Sequence, residues 1–177
     1  MKRLICMALV CLFAPMAALA QDPVTNPLSA TVRNILNRYS KNLVAAAEEM
    51  PADKYGYQPT PEQMTFGKSI AHITEVNNVA CGKFLDTPAT QGPKIAEADS
   101  KEKLVEGLKT SMDYCAQVFS KLTDAKLEEM VPFFGGRQVT RLGVALEVTN
   151  DLVDHYAALA VYLRLNGLLP PSAQKKQ

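Results

Sequence analysis

The polar residues of this 177-residue chain that could act together in chemistry lie in two of its helical segments. The last segment carries Asp151 and His155, four residues apart, within VTNDLVDHYAALAVYLRL at 148–165. His72, the other of two histidines in the chain, lies near the middle of the second segment. Two imidazoles and one carboxylate suit zinc, non-haem iron, nickel or manganese, and do not select among them. We therefore predict a divalent-metal site formed by His72, Asp151 and His155.

The spacing on the last segment predicts that Asp151 faces the interior. Residues at steps of three and four form one face whose other members are mostly apolar, namely Val144, Val148, Asp151, His155, Leu159 and Tyr162. An unpaired carboxylate on a buried face is costly, so a cation should meet it, either a protonated histidine or a metal ion. A simple pair of Asp151 with His155 at i, i+4, without His72, is the alternative.

The first twenty residues are typical of a secretory signal. MKRLICMALVCLFAPMAALA has a basic start, an apolar run and a small-residue end at Ala18-Leu19-Ala20. We predict that residues 1–20 are removed and that the mature chain is periplasmic or secreted, without membrane attachment. An uncleaved anchor is the alternative. Residues 21–177 would then form a single domain, which is long enough to build a core.

The charge balance argues against nucleic acid as a partner. Without Lys2 and Arg3, 17 basic residues stand against 18 acidic ones. No basic strip interleaved with aromatic residues occurs, whereas nucleic-acid binding depends on clustered positive charge.

Two cysteines remain once Cys6 and Cys11 leave with the signal. Cys81 and Cys115 both fall in helical patterns, and an oxidising compartment permits a disulfide between them. Two buried small hydrophobic residues are the alternative.

Helical periodicity dominates the chain and strand patterns are nearly absent. The predicted helices cover Leu28–Met50, Thr65–Leu85, Lys101–Leu122 and a segment from Val139 or Thr140 to Asn166. This pattern predicts an all-α fold, a four-helix bundle with long connections that leave room for a crossover topology.

Three local features accompany these helices. Thr65 is the predicted N-cap of the second helix, and Asp99 with Glu102 resembles a capping box before the third. Residues 123–140 are predicted to be irregular, with one or two helical turns at Lys126–Met130 and breaks at Pro132 and the Gly135-Gly136 pair.

Two stretches of the chain resemble the DinB-like family of metal-binding four-helix bundles. They are AAAEEMPADKYGYQPTPEQMTFGKSIAHITEVN at 45–77 and DHYAALAVYLRLNGLLPPS at 154–172. The resemblance implies a metal held by one histidine on helix two and two on helix four. His72 and His155 match this pattern, and Asp151 stands where the remaining histidine is expected.

Aspartate can ligate the same metals, but its charge would weaken the Lewis acidity of the ion and raise the pKa of a bound water or thiol. An empty, degenerate site is the alternative.

Some members of the family resemble thiol-dependent transferases or isomerases, in which the metal holds a low-molecular-weight thiol as thiolate. The resemblance therefore implies a metalloenzyme of the thiol-transferase or hydrolase type that acts on a small molecule, and the signal-like residues 1–20 predict that it is exported. Glu75, one turn from His72, would orient the thiol or act as a base, unless it is simply a solvated helix residue. A non-catalytic periplasmic bundle that binds a small ligand or partner is the competing hypothesis. The family also implies pairing into a homodimer.

Overall fold

The computed structural model of the protein describes residues 25–84 and 94–175. Within them the chain forms four α-helices, α1 (Pro27–Glu49), α2 (Phe66–Phe84), α3 (Lys101–Ser120) and α4 (Arg141–Leu165). These bounds agree with the predicted helices to within two residues at nearly every end, and the predicted all-α four-helix bundle is confirmed. The predicted signal peptide and the start of the linker after α2 lie outside the described residues.

The bundle has a crossover topology rather than alternating directions. α1 packs against α3 and α4, and α2 packs against the same two helices, so α1 and α2 lie diagonally opposite. α2 and α3 run in parallel, because Asn77 contacts Ser111 and Cys81 contacts Cys115 at the same sequence offset of 34. The connection between α2 and α3 therefore joins opposite ends of the bundle. Periodicity alone did not distinguish this arrangement from a simple up-and-down bundle.

α2 and α4 run antiparallel along a shared seam. Near the start of α2, the Phe66 ring lies 6.3 Å from the Tyr162 ring near the end of α4. Further along α2, His72 meets His155, which precedes Tyr162 by two turns. This direction decides which polar residues of the two helices can meet.

A single apolar core fills the space between the four helices. The largest side chains with almost no exposure are Phe66, Phe119, Leu36, Leu43, Met50, Ile70, Ile73, Leu104, Leu108, Leu152 and Leu159. Each such side chain contributes roughly 1.5–3 kcal/mol through burial. The apolar members of the face predicted for the last helix, Val144, Val148, Leu159 and Tyr162, all belong to this core.

The N-terminus of α1 is capped from a distant loop. Asn26, at the N-cap position, adopts a positive φ of 59° and its side chain makes no cap hydrogen bond. Instead, the Asp124 carboxylate accepts hydrogen bonds from the backbone N–H groups of Leu28 (3.1 Å) and Ser29 (2.8 Å) and from the Ser29 hydroxyl (2.6 Å). A carboxylate at a helix N-terminus satisfies unpaired donors and complements the helix dipole.

The C-terminus of α1 is capped by a lysine from α3. The Lys101 ammonium donates to the carbonyl oxygens of Glu48 at 2.6 Å and Met50 at 2.8 Å. The last carbonyls of a helix lack partners within the helix, and a cation there is favourable. Both ends of α1 are thus fastened by residues far away in sequence.

Of the N-terminal caps predicted for α2 and α3, one is confirmed and one is wrong. Thr65 is confirmed as a cap, since its hydroxyl accepts from the Lys68 N–H at 3.1 Å. The predicted capping box of Asp99 with Glu102 is wrong, because Ser100 is the N-cap and accepts from the Lys103 N–H at 3.4 Å. The Asp99 carboxylate is instead engaged in the preceding turn, where it accepts from the Ala96 N–H at 2.7 Å.

The segment between α3 and α4 contains a β-hairpin that was not predicted. Strands β1 (Met130–Pro132) and β2 (Gln138–Thr140) pair antiparallel, with Val131 opposite Val139. At its tip Gly135 and Gly136 both have positive φ, 68° and 74°, a conformation that glycine adopts without steric cost. The predicted helical turns at Lys126–Met130 are replaced by a short 3-10 turn at Asp124–Lys126 and by β1.

A disulfide bond joins α2 and α3 in the core. Cys81 and Cys115 are completely buried, with their Cα atoms 5.3 Å apart. Of the two alternatives left open by the sequence, the structure shows the bridge. Searched over the described residues, no helix is both long enough and apolar enough to span a membrane.

Removal of this disulfide should destabilise the protein without changing the fold. The bridge closes a loop of sequence separation 34, for which the chain-entropy relation gives roughly 3–4 kcal/mol. Urea unfolding of the oxidised protein and of a Cys81→Ala/Cys115→Ala variant should differ by that amount in the free energy of unfolding. Reductant should lower the stability of the wild type and leave the double variant unchanged. Identical unfolding curves for wild type with and without reductant would show that the bridge does not form.

The Asp124 cap should make stability depend on pH in the acid range. Burial tends to raise the pKa of Asp124, but the hydrogen bonds from Ser29 and Leu28 and the nearby Arg33 charge outweigh it and hold the pKa below 3.8. Because the folded pKa lies below the unfolded one, this contribution is complete above about pH 5 and disappears as the pH falls below about 4.

Asp124→Asn should therefore lower the Tm by about 2–5 °C at pH 7 and much less at pH 3. Asp113→Asn, an exposed acid on α3, is the matched control and should have little effect at either pH. A Tm difference that does not shrink on acidification would contradict the capping role of Asp124.

Candidate metal and ligand site

The α2–α4 seam brings the two histidines of the chain into contact. The rings of His72 and His155 meet edge to face, with centroids 5.2 Å apart and planes inclined by 64°. Both side chains are half-buried at the rim of the core. The Tyr162 hydroxyl holds the same seam further along by donating to the Met64 carbonyl at 2.7 Å. Burial, with a smaller effect from Tyr57, raises the pKa of Tyr162 above its ordinary value.

Asp151 lies one turn before His155 on α4. Its Oδ1 atom is 3.5 Å from His155 Nε2, and the side chains of Asp151 and His155 are 36% and 15% exposed. Its other oxygen, Oδ2, is buried and has no hydrogen-bond partner among the described residues. The other buried polar side-chain atoms without partners there are the neutral hydroxyls of Ser40 and Tyr114. An unsatisfied carboxylate oxygen costs more than an unsatisfied hydroxyl, so Asp151 stands out as a group that lacks its partner.

The three predicted ligands thus come together as two pairs, His72 with His155 and His155 with Asp151. Across residues 25–84 and 94–175, however, no group of three or more His, Cys, Asp and Glu side chains is arranged to hold a metal ion. The residue types and the buried Asp151 oxygen fit a divalent cation, but side-chain rotations would be needed to bring three donors onto one ion.

Two cavities flank this seam. One of about 200 Å³ extends from Asp151 beneath the hairpin tip, and its lining comprises Val76, Ala80, Phe133, Phe134, Arg137, Glu147, Val148 and Asp151. The other, of about 360 Å³, is lined by Met64, Lys68, Ala71, His72, Glu75, Ile95, Ala96 and Glu97. The site is therefore accessible from both sides, with a mainly apolar cavity beside Asp151 and a more charged one beside His72.

Glu75 lies on the exposed side of α2 and shares the second cavity with His72 and Lys68. Its side chain is solvated and borders the space that a molecule bound in this cavity would occupy.

The sequence did not point to Phe133, Phe134 and Arg137 as site residues. They belong to the hairpin tip, and the Phe133 N–H donates to the Arg137 carbonyl at 2.8 Å to close it. The available signal was the Gly135-Gly136 pair between the short β-branched segments MVP and QVT, a pattern typical of a hairpin.

Solved structures of similar fold were found for this chain. A DinB-like protein from Bacillus subtilis is 20% identical with a TM-score of 0.65, and the match covers 82% of this chain and 99% of that one. A DinB-like protein from Bacillus cereus is 16% identical with a TM-score of 0.67, covering 80% of this chain and 95% of that one.

A third structure, a mycothiol-dependent maleylpyruvate isomerase, is 13% identical with a TM-score of 0.61. The match covers 74% of this chain and 60% of the isomerase, so it spans only part of that enzyme. At these identities the likeness shows the fold alone.

A search of curated proteins found no match. The profile of the DinB superfamily, in contrast, matches residues 35–159, which include the α2–α4 seam with His72, Asp151 and His155. DinB-like proteins are generally metal-binding. The crossover bundle, the similar structures and this profile together show that the chain belongs to the DinB superfamily.

Proposed function

We propose that this protein is an exported, divalent-metal-dependent enzyme that acts on small molecules by thiol transfer or hydrolysis. His72, Asp151 and His155 are the proposed metal ligands, and zinc, nickel, iron or manganese are the candidate ions. The observation that carries the proposal is the buried Asp151 Oδ2, which has no hydrogen-bond partner among the described residues and lies on the same seam as two imidazoles. A divalent cation would offset the cost of burying this oxygen.

When bound, the ion would supply positive charge that stabilises a thiol as thiolate, the nucleophilic form. The side chains around the two cavities would position the reacting molecules. His72 opens onto the charged cavity, where Lys68, Glu75 and Glu97 offer both signs of charge to a hydrophilic, low-molecular-weight thiol. Asp151 opens onto the apolar cavity, which suits the second reactant. In this arrangement Glu75 would orient the thiol or accept its proton. The likeness in fold to a mycothiol-dependent isomerase supports thiol chemistry.

Export is part of the proposal. Two features support it, the signal-like residues 1–20 and the buried disulfide between Cys81 and Cys115. Structural disulfides persist in oxidising compartments and are rare in the cytosol of mesophiles.

The competing function is a non-catalytic periplasmic bundle whose metal site has degenerated. The observation in its favour is that the described side chains form no ready-made group of three metal donors. In that case Asp151 and His155 would be a simple pair on one helix.

Metal analysis distinguishes the two functions. Protein purified without a histidine tag should contain about one divalent ion per chain, since a structural or catalytic site holds its ion through purification. His72→Ala, Asp151→Ala and His155→Ala should each lose the ion, because each removes one of three ligands. Elemental analysis by mass spectrometry gives the stoichiometry.

Asp154→Ala is the matched control for this experiment. Asp154 is an exposed acid on the same helix, so its loss should leave the metal content unchanged. A metal-free wild type that takes up none of zinc, nickel, iron or manganese would contradict the proposed enzyme.

Thermal unfolding provides a second test of the same site. Metal at a hundred times its Kd adds about 2.7 kcal/mol of stability, which corresponds to a Tm increase of roughly 5–11 °C. Asp151→Asn should abolish most of this increase, because a neutral amide is a poorer ligand for a cation. If the site is degenerate, added metal and chelator should leave the Tm unchanged, and Asp151→Asn should be as stable as the wild type.

A further inference from the structure

We infer that the cavity beneath the hairpin tip is a binding site for a small organic acid, with Arg137 as the residue that selects its carboxylate. The idea that this acid is the second reactant rests on the proposed function. The idea that the cavity binds an acid rests on the cavity alone, so ligand binding and the proposed function can be tested separately.

Among the described residues, the cavity lining combines five apolar side chains with one cation and two acids. Its apolar walls are Val76 and Ala80 of α2, Val148 of α4, and Phe133 and Phe134 of the hairpin. Its volume of about 200 Å³ is below the roughly 300–1,000 Å³ of sites for drug-sized ligands, so the occupant must be small. Such walls favour a molecule with a compact apolar body.

Arg137 is the one cation among the described lining residues, and it is exposed on the hairpin. Its Nε–H donates to the Phe134 carbonyl at 3.4 Å, and the centre of its guanidinium lies 5.6 Å from the centroid of the Phe133 ring. No ion pair with a described acid occupies its terminal nitrogens. A positioned guanidinium with free N–H groups matches the geometry of a carboxylate.

Two acidic side chains, Glu147 and Asp151, also border the cavity. Glu147 is exposed, as Arg137 is, so water screens the effect of each on a bound anion to a similar degree. Asp151 lies next to His155 on the α2–α4 seam. An acid bound through Arg137 would therefore direct its apolar part toward the α2–α4 seam and keep its carboxylate at the hairpin, away from Asp151.

The inference is tested with benzoate and its neutral analogue benzamide as probes. Both are titrated into the metal-free, full-length purified protein and followed by amide chemical shifts in NMR spectra. Shifts should concentrate at residues 76–80, 133–137 and 147–151, and benzoate should bind at least about tenfold more tightly than benzamide, as one charge-assisted hydrogen bond predicts.

Arg137→Gln should remove the preference for benzoate while leaving benzamide binding intact. Lys83→Gln is the matched control, because it also removes one positive charge near the hairpin. Lys83 Nζ lies 5.7 Å from the centroid of the Phe134 ring, and Lys83 does not line the cavity. That variant should keep the preference.

Three results would each overturn the inference: equal affinities for benzoate and benzamide, an equal loss of benzoate preference in Arg137→Gln and Lys83→Gln, or no chemical-shift changes at residues 76–80, 133–137 and 147–151. Since the protein is free of metal in this experiment, the result is independent of the proposed function. If the protein prefers benzoate but binds no metal, the acid site stands and the proposed enzyme is contradicted. If the protein binds metal but does not prefer benzoate, the proposed enzyme stands and the acid site is contradicted.

Discussion

The antiparallel packing of α2 on α4 is the constraint on which the candidate site depends. This packing places the first half of α2 beside the second half of α4, so that His72 meets His155 and Asp151 follows one turn away. The direction of α2 is fixed in turn by the disulfide and by the polar contacts that align it with α3. In a bundle of alternating helices, α2 and α4 would run parallel, and residues near the start of one helix would not meet residues near the end of the other. The site is therefore a consequence of the crossover topology.

Much of this fold follows from the sequence, because helical periodicity and breaking residues mark the helices directly. Pro51, Thr65 and Gly167 delimit α1, α2 and α4 within a residue or two of their observed ends. The direction and pairing of the helices do not follow, since an apolar stripe requires only that some partner covers it. The hairpin was missed because its strands are three residues each, too short to show an alternation, and only its Gly-Gly tip carried information. The N-cap of α1 could not be found locally either, because Asp124 lies 96 residues away from Leu28.

The sequence supplied the candidate residues of the site but gave no information about its surroundings. Spacing and family resemblance identified Asp151, His155 and His72, and the structure places them on one seam. Neither signal included Arg137 or the two phenylalanines of the hairpin, which approach Asp151 only through tertiary structure. Two ligands at i and i+4 on one helix can be recognised from their spacing in the sequence. A cavity wall formed by a distant loop has no such spacing, so it becomes visible only in the folded structure.

The aspartate at position 151 determines what chemistry such a site could support. Three neutral imidazoles would leave a divalent ion its full charge, and one carboxylate in their place reduces the net charge of the site by one. A less positive site polarises a bound thiol or water less strongly, so the thiolate would form at a higher pH. The same carboxylate offers the ion a second oxygen, which imidazole lacks, and this oxygen is buried without a hydrogen-bond partner among the described residues.

Anomalous X-ray diffraction from crystals grown with saturating zinc can test whether a cation satisfies Asp151 between α2 and α4. If it does, we expect an anomalous peak about 2.0–2.2 Å from a ring nitrogen of His72, a ring nitrogen of His155 and an Asp151 oxygen. A map without a peak on that seam, in which Asp151 is bonded only to His155 or to water, would contradict the proposed metal site.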